Sequence, residues 1–300
     1  MLVIGSANMD IVVRASRAPG AGETVMGLDY ALYPGGKGAN QAVAASRAGA
    51  VVSLCASLGR DPYGDALRAA LQLDQVDLSC LNDTEVPSGV AFITVEKAGE
   101  NRIIVVPGAN HSFRPEQVPD HIRPHTVMLA QLEIPIETVL AGAAKVRATG
   151  GCVVLNASPI AGLDDDSCTA LLAAADIVLV NETEAAMLLR QADLPAPLEA
   201  VQQLARGRRA AVITLGSDGV VWAAPTGCGH IAAHRVGVVD TTACGDAFAG
   251  SFAAALEAGD EIEQAVRFGN AAGALAAMRH GAQPSLPQRD DIFAFLEQQC

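Results

Sequence analysis

One stretch decides the fold: Asp240-Thr241-Thr242-Ala243-Cys244-Gly245-Asp246-Ala247-Phe248-Ala249-Gly250. The apolar run 236–239 before it predicts a strand, and the small residues of 248–258 after it predict a helix. Strands that alternate with helices are typical of α/β folds. The stretch is therefore interpreted as a loop that turns into the start of a helix.

Three residues of this loop carry backbone N–H groups that a helix leaves without intrahelical partners, namely Ala243, Cys244 and Gly245. The positive end of the helix dipole lies at the same place, so an anion can bind there without a basic side chain. Asp246 adds a carboxylate beside this anion site. The pattern suggests one group that holds a phosphate and another that takes a proton from the phosphate acceptor. The alternative is that Asp246 only caps the helix.

Composition limits the class of protein. The 300 residues suffice for a large core, and with 50% hydrophobic but only 4% aromatic residues they suit helices packed on a buried parallel sheet. The net charge is −13 and no Lys/Arg cluster stands out, which argues against a nucleic-acid partner. Backbone N–H groups and a divalent cation can still bind a nucleotide's phosphates.

Cysteine usage and hydropathy bear on the compartment. The seven cysteines include no C-x-x-C pair, which fits reduced thiols in the cytoplasm better than a disulfide framework. Residues 1–5 predict a first strand and lack the basic segment of a signal peptide, and no apolar run is long enough to span a bilayer. We expect a cytoplasmic protein with no membrane partner.

The chain pattern changes along its length. From about residue 126, strands alternate with helices, which implies βαβ crossovers and a parallel sheet. Earlier, β-like runs near 11–13 and 24–33 accompany a predicted hairpin of 89–96 and 101–106 with its turn at 97–100. These runs predict a small separate sheet beside an α/β core.

Ligands of open α/β sheets bind beyond the carboxyl ends of the strands. Six polar residues fall at or just past predicted strand ends: Asn8, Asp10, Glu133, Asn156, Asn181 and Asp240. Their convergence predicts a site at this edge. Several site types are excluded, because 35–38 lacks the Ser/Thr of a P-loop and the chain has neither G-x-G-x-x-G after its first strand nor a G-x-S-x-G elbow.

The remaining polar groups suit a polyol. Asn8 and Asp10 flank one residue at the end of the first strand, so they point the same way and can bind adjacent hydroxyls. The alternative is a turn. Glu133 is interpreted as an acceptor for a hydroxyl, or otherwise as a surface acid.

A glycine-rich segment precedes a helix predicted over 41–48. Gly36 and Gly38 allow a backbone to approach a ligand closely, while Lys37 and Asn40 add donors. The alternative is a flexible loop. Further on, Asn181-Glu182-Thr183-Glu184 opens a helix, where Asn181 and Glu184 either cap it or lie near a magnesium–phosphate through water.

Together these segments resemble the ribokinase family of carbohydrate kinases, in order and spacing from residue 3 to 295. The resemblance rests on Gly35-Gly36-Lys37-Gly38-Ala39-Asn40-Gln41-Ala42-Val43-Ala44, Asp240-Thr241-x-x-x-Gly245-Asp246-x-Phe248-x-Gly250, the N-x-x-E element at 181–184, the nucleotide loop at 214–219 and the C-terminal segment 281–285. Asn8-x-Asp10 and 36–40 resemble the ribose-binding set of those members that phosphorylate ribose.

The resemblance implies a single domain over 1–300 with a three-layer α/β/α core and a mostly parallel sheet. A β-sheet lid of about 11–34 and 88–107 is implied to pair two subunits into a homodimer. Ribose would be bound by Asn8, Asp10, Gly36, Lys37, Gly38, Asn40, Glu133 and Asp246. ATP would lie along Asn181, Glu184, Thr214, Leu215, Gly216, Ser217, Asp218, Gly219, Gly245 and Asn270. A monovalent cation, usually K⁺, would be held by Asp240, Thr242, Ala276, Arg279, Gly281 and Ser285, several through carbonyls.

Two residues depart from the family pattern: Cys244 stands where Ala is common, and Asn270 where His is common.

The activity that the resemblance implies is ATP-dependent phosphorylation of the ribose 5-hydroxyl to ribose 5-phosphate and ADP. Asp246 would be the general base, the N–H groups of 243–245 the anion hole, and Mg²⁺ the bridge between phosphates. The alternatives are a kinase for another sugar or nucleoside (deoxyribose, fructose or adenosine) and a non-catalytic sugar sensor, against which Gly245 and Asp246 argue.

Overall fold

The computed structural model describes residues 1–97, 101–123, 126–194 and 196–298, which form two β-sheets and their flanking helices. The strands are β1 (Leu2–Ile4), β2 (Asn8–Ala15), β3 (Gly27–Gly35), β4 (Ser53–Gly59), β5 (Leu81–Thr84), β6 (Gly89–Glu96), β7 (Asn101–Val106), β8 (Val127–Ala130), β9 (Cys152–Asn156), β10 (Ile177–Asn181), β11 (Ala210–Thr214), β12 (Val220–Ala224) and β13 (Gly227–Ile231). The helices are α1 (Lys37–Arg47), α2 (Pro62–Leu73), α3 (Ile136–Ala148), α4 (Asp165–Ala174), α5 (Glu182–Leu188), α6 (Pro197–Leu204), α7 (Cys244–Ala258), α8 (Ile262–Ala276) and α9 (Arg289–Glu297).

The larger sheet has the strand order β13-β12-β11-β10-β9-β8-β1-β4-β5. Its strands from β11 to β5 pair in parallel, and β12 and β13 add an antiparallel edge. The interior strands β1, β8, β9, β10 and β11 are mostly apolar because both faces of the sheet are covered there. Val3 lies in a core with α1, α7 and α8, and the next residue, Ile4, lies in a core with α3 and α6. The predicted α/β/α core is confirmed.

The smaller sheet has the order β3-β2-β6-β7, with β2 antiparallel to β3 and parallel to β6. It is the separate sheet that the β-like runs predicted, although residues 98–100 of the predicted turn lie outside the described residues. Asn8 stands opposite Gly35 on one side and Gly89 on the other. Because β2 begins four residues after β1 ends, the small sheet meets the core at the carboxyl edge of β1.

The run 236–239 is not a strand, so that prediction was wrong. The N–H groups of Val239 and Asp240 donate to the Ala277 carbonyl at 2.8 and 3.2 Å, just past the end of α8. Val238 and Val239 are exposed. The segment is held by the end of a helix rather than by a sheet, because its N–H groups donate to the Ala277 carbonyl and not to a neighbouring strand.

Helix α1 begins at Lys37, four residues before the predicted start, so the glycine segment is part of its first turn. Gly36, with φ 88°, allows the chain to enter the helix. A Cβ on Gly38 would lie 2.5 Å from the Ser6 nitrogen, and one on Gly36 would lie 2.7 Å from the Asn8 nitrogen. These glycines are therefore required by close packing of α1 against residues 5–8, and they place the start of α1 beside β2.

Smaller differences concern helix ends and short elements. Helix α7 starts at residue 244 instead of 248, and β5 and α9 were not predicted. The sequence of β5, Leu-Asn-Asp-Thr, has no apolar run because the strand lies at the sheet edge and is only partly buried. None of the helices in the described ranges is long and apolar enough to cross a bilayer.

Candidate active site

The start of α7 has the geometry of an anion site. Ala243 has left-handed backbone, φ 58°, directly before the first helical residue, Cys244. A Cβ added to Gly245 would meet no atom within 4 Å, so this backbone borders open space. The Cys244 N–H donates to the Thr241 carbonyl at 3.3 Å, a long bond that an anion using this donor has to replace.

The Asp246 carboxylate is buried in the first turn of α7 and is held by two amides of α1. Asn40 Nδ2 donates to Asp246 Oδ2 at 3.0 Å, and Gln41 Nε2 donates to Asp246 Oδ1 at 2.9 Å. No side-chain hydrogen bond caps the start of α7, so the capping alternative for Asp246 does not describe the structure. The carboxylate joins α1 to α7 instead.

Burial raises the pKa of the Asp246 carboxyl; the positive charge of Lys37 and the two amide donors oppose this shift without cancelling it. Burial, followed by the negative charges of Glu133 and Asp246, raises the pKa of Asp10 to about 7. A raised pKa makes each of these carboxylates a better proton acceptor than an exposed one.

Lys37 is a half-buried cation among these acids. Burial lowers its pKa, but the surrounding carboxylates outweigh burial and raise the pKa overall. Those carboxylates are Asp246, Glu133 and Glu184. The ammonium therefore stays charged and balances part of the negative charge of the site.

The polar side chains of β2 and its neighbours form the other side of the site. Asn8 and Asp10 are the first and third residues of β2, rather than the end of β1 as predicted, but the spacing of two still places them on one face. Asn8 is buried and its Oδ1 accepts from Asn110 Nδ2 at 2.7 Å. Asn8 is therefore held in one orientation by a residue far away in sequence.

Glu133 lies past the end of β8, where its Oε2 accepts hydrogen bonds from the Ser6 hydroxyl and from the Lys37 N–H at 3.2 Å. It is half-buried and directed toward the start of α1, which excludes the surface-acid alternative. Asn40 Oδ1 is buried and has no hydrogen-bond partner among the described residues. A ligand hydroxyl could satisfy that acceptor, because a buried polar atom without a partner is costly.

A cavity of about 530 Å³ opens in front of the start of α7. Seven residues that the sequence pointed to line it: Thr214, Gly216, Ser217, Gly219, Cys244, Gly245 and Asn270. The lining does not include Leu215, Asp218, Asn181 or Glu184. The volume suits a nucleotide-sized ligand. Burial, together with the charges of Asp240 and Asp246, raises the pKa of the Cys244 thiol to about 11, so the thiol beside the cavity is neutral.

Asn181 and Glu184 form a reciprocal cap at the start of α5. Glu184 N donates to Asn181 Oδ1, and Asn181 N donates to Glu184 Oε2, both at 2.9 Å. The capping interpretation is what the structure shows. Nevertheless, the charge of Glu184 reaches Lys37, so this acid belongs to the electrostatic environment of the site.

The predicted cation residues come from the loop before α7, from the last residue of α8 and from the segment that follows α8. Asp240 Oδ2 accepts from Gly281 N at 2.9 Å, and Asp240 Oδ1 accepts from the Thr242 N–H and hydroxyl at 2.9 and 2.6 Å. These bonds outweigh burial, so the pKa of Asp240 is lowered and the carboxylate stays ionised. Arg279 pairs with Asp291 through its side chain, at 3.6 Å, which leaves only its carbonyl for an ion.

The other two members of the set have internal partners. The Ala276 carbonyl accepts from Arg279 N, and the buried Ser285 hydroxyl donates to the Ala282 carbonyl. Within the described part of the chain, no group of three His, Cys, Asp or Glu side chains could hold a metal. The set comprises one carboxylate with hydroxyls and carbonyls, the oxygen ligands that hard cations prefer.

Sequence reasoning missed the network behind Asp246. Gln41 Nε2 also donates to Asn156 Oδ1 at 2.9 Å, and Gln41 Oε1 accepts from Gln131 Nε2. Gln41 and Gln131 are fully buried. The available signal was Gln41 directly before the apolar run 42–45, whose composition predicts burial, because a buried Gln needs hydrogen-bond partners.

The fold and the site together define a three-layer α/β protein with a nucleotide-sized cavity at the start of α7. The buried Asp246 carboxylate follows the cavity-lining Gly245 and is bonded to α1. Residues 1–289 match the family described as pfkB family carbohydrate kinase. The chain therefore belongs to the pfkB family of carbohydrate kinases, and the resemblance inferred from the motifs is confirmed.

The chain is 36% identical over 304 residues to a ribokinase of Haemophilus influenzae, covering 99% of this chain and 98% of the relative. It is similar in structure to the ribokinase of Thermotoga maritima, with a TM-score of 0.90 and 33% identity. It is also similar to Arabidopsis thaliana ribokinase complexed with ribose and ATP, with a TM-score of 0.86 and 30% identity. Each structural match covers 99% of this chain and 98% of the other.

The raised pKa of Asp10 predicts a pH-dependent stability of the ligand-free protein. Between its ordinary pKa of 3.8 and about 7, the folded protein holds a proton that the unfolded chain has released, so the free energy of unfolding falls as pH rises through this window. Asp10→Asn removes this pH-dependent loss of stability. We expect the difference in melting temperature, variant minus wild type, to increase from about pH 4 to about pH 7 and then to level off.

Thermal melts across this pH range check the expectation. Asp193→Asn, at an exposed position, is the matched control and should keep a constant offset from wild type. A constant offset for Asp10→Asn as well would show that Asp10 has an ordinary pKa in the folded protein.

Proposed function

We propose that the protein phosphorylates the 5-hydroxyl of D-ribose with ATP to give D-ribose 5-phosphate and ADP. The observation that carries the proposal is the position of Asp246, buried between the open backbone at the start of α7 and the polar residues of α1 and β2. Ribokinases at 36% and 33% identity over nearly the whole chain support the sugar, and the relative complexed with ribose and ATP supports both substrates.

In this proposal Asp246 accepts the proton of the primary hydroxyl as that oxygen attacks the γ-phosphate. Asn40 and Gln41 hold the carboxylate from the side of α1. The N–H groups of Ala243, Cys244 and Gly245 stabilise the charge that develops on the transferred group. Phosphoryl transfer depends mainly on positioning and electrostatics, and these groups supply both.

The sugar would lie against the first residues of β2 and α1. Asn8 and Asp10 would bind adjacent hydroxyls, and Glu133 and Asn40 would accept from others. Gly36, Lys37 and Gly38 would contribute backbone at the helix start. The unpartnered Asn40 Oδ1 and the fixed orientation of Asn8 support this assignment.

The nucleotide would occupy the 530 Å³ cavity. Its phosphates would face Gly245, and its base and ribose would lie along 214–219 and Asn270. The Asn270 amide donates to the Ala232 carbonyl at 2.9 Å, so it would meet the nucleotide through its oxygen. Mg²⁺ would be held by the phosphates and water, with Asn181 and Glu184 reached through water, and would neutralise phosphate charge.

A panel of acceptors tests the substrate. Ribose should release ADP fastest in a coupled assay, ahead of deoxyribose, fructose and adenosine. Adenosine or fructose as the best acceptor would support the alternative of another sugar or nucleoside kinase. Tight ribose binding without ADP release would support the sugar-sensor alternative and overturn catalysis.

Asp246→Asn tests the general base. A positioned base contributes about 10²–10⁴-fold, so we expect kcat to fall by roughly that factor, while ribose affinity measured by calorimetry changes little. Asp193→Asn, at an exposed site, serves as the control. A variant with nearly normal kcat would reject Asp246 as the base.

We also propose that K⁺ binds between Asp240, Thr242, Ala276, Arg279, Gly281 and Ser285. The ionised Asp240 and the carbonyls near the end of α8 support it. Because this loop leads into α7, cation binding would order the anion site.

The rate of ribose phosphorylation should be higher in KCl than in NaCl at equal ionic strength, and Asp240→Asn should remove the difference. Equal wild-type rates in both salts would contradict the site.

The small sheet is proposed to act as a lid, formed by 11–34 and 88–107, and to pair subunits into a homodimer. Leu32, Phe92 and Ile104 lie in one row across it and are exposed, as are Leu28 and Tyr30. Contiguous exposed apolar surface marks an interaction site.

Light scattering should give the mass of a dimer for wild type and of a monomer for Tyr30→Asp, with Leu73→Asp on α2 as the control. A wild-type monomer would contradict the proposal.

The scattered cysteines favour the cytoplasm as the compartment of the protein.

A further inference from the structure

Two thiols meet where β4 pairs with β5, the edge strand of the large sheet. Cys55 lies in β4 and Cys80 directly precedes β5. Their following residues, Ala56 and Leu81, form the first pair between these parallel strands. Cys55 belongs to the core on the α3 side of the sheet, and Cys80 packs against the same core. The two side chains are therefore neighbours on one face.

The backbone around the pair is compatible with a bond between the two sulfurs. Neighbouring strands lie about 4.8 Å apart, within the Cα separation of about 4.4–6.8 Å that disulfides use. Between the Ser53–Asp77 bridge and the Ala56–Leu81 pair, the second chain has one residue more than β4. The extra residue interrupts the ladder directly before the pair, where such an irregularity bends the strand.

We propose that Cys55 and Cys80 form a reversible redox pair, which a low-molecular-weight disulfide such as glutathione disulfide closes to an intramolecular disulfide. Both thiols are free in the structure, Cys55 buried and Cys80 half-buried. The half-buried sulfur is the one that an oxidant can reach.

The exchange proceeds in two balanced steps. The Cys80 thiolate attacks one sulfur of glutathione disulfide, forming a mixed disulfide and releasing one glutathione thiolate. The Cys55 thiol then loses its proton to solvent or buffer and attacks the Cys80 sulfur, releasing the second glutathione. In sum two protein thiols are oxidised and one glutathione disulfide is reduced to two glutathiones.

The local electrostatics select Cys80 as the attacking group. Hydrogen bonding from the Cys55 thiol lowers the pKa of Cys80 to about 6, with Ser79 adding to the shift and burial and Asp77 opposing it. The neighbouring Cys80 and burial raise the pKa of Cys55. One thiolate with an adjacent thiol is the arrangement that resolves a mixed disulfide.

Closing the pair would change stability. The loop between the two cysteines contains α2, and a disulfide that closes such a loop restricts the unfolded chain. The oxidised protein should therefore melt at a higher temperature than the reduced protein. The link would also tie β5, which leads to the small sheet at Gly89, to the interior strand β4.

The test is mass spectrometry of the full chain after incubation with glutathione disulfide under native conditions. Trypsin cleaves after Arg47, Arg60, Arg68 and Lys97, so the two cysteines fall in separate peptides, 48–60 and 69–97. We expect these peptides to appear joined, two hydrogens lighter than their sum, and to separate again with dithiothreitol. The melting temperature should rise on oxidation and return on reduction.

Cys80→Ser should abolish both the joined peptides and the rise in melting temperature. Cys228→Ser, which removes an exposed thiol elsewhere, is the matched control and should behave as wild type. A half-buried position tolerates Ser, and Cys55→Ala gives a second test that leaves Cys80 in place. Glutathione retained on Cys80 with Cys55 still free would overturn the proposal, as would reaction at Cys228 or Cys244 while Cys80 stays unmodified.

Discussion

The contact on which the rest of the site depends is the pair of amide hydrogen bonds from α1 to the Asp246 carboxylate. A buried carboxylate is costly unless donors satisfy it, and here two consecutive residues, Asn40 and Gln41, each satisfy one oxygen. Gln41 is fixed in turn by Gln131, which directly follows β8, and by Asn156, the last residue of β9. The carboxyl edge of the large sheet, α1 and α7 are thus joined by one buried polar network, and the position of the proposed base is determined by all three.

Close packing places α1 where those donors are needed. The glycines at 36 and 38 leave room only for a hydrogen against the backbone of residues 6–8, so the helix start and the start of β2 are held together. As a result Asn8 and Asp10, the proposed sugar-binding residues, lie near the Asp246 carboxylate of α7. Burial and the nearby charges of Glu133 and Asp246 raise the pKa of Asp10, as expected when several acids lie close together.

Much of this was accessible from the sequence. The alternation of strands and helices predicted the parallel core, and Gly245-Asp246 after a polar loop predicted a helix start with an anion site. Other features were not accessible. The run 236–239 has strand composition but pairs with the end of α8, because the choice between a sheet partner and a helix end is made by distant residues. Asn181 and Glu184 could not be assigned between cap and ligand, because both roles use the same residue types.

The sequence alone determined the class of fold and the residues that carry charge and hydrogen-bonding capacity, because those depend on composition, periodicity and spacing along the chain. Its motifs also carried the resemblance to the family. Only the tertiary structure decided that Gln41, Gln131 and Asn156 form one network, that Asn110 orients Asn8, and that Cys55 lies beside Cys80. The physical reason is that hydrogen bonds and desolvation act over a few ångströms in space, between residues that can be far apart in the chain. Gln41 and Asp246, for example, are 205 positions apart.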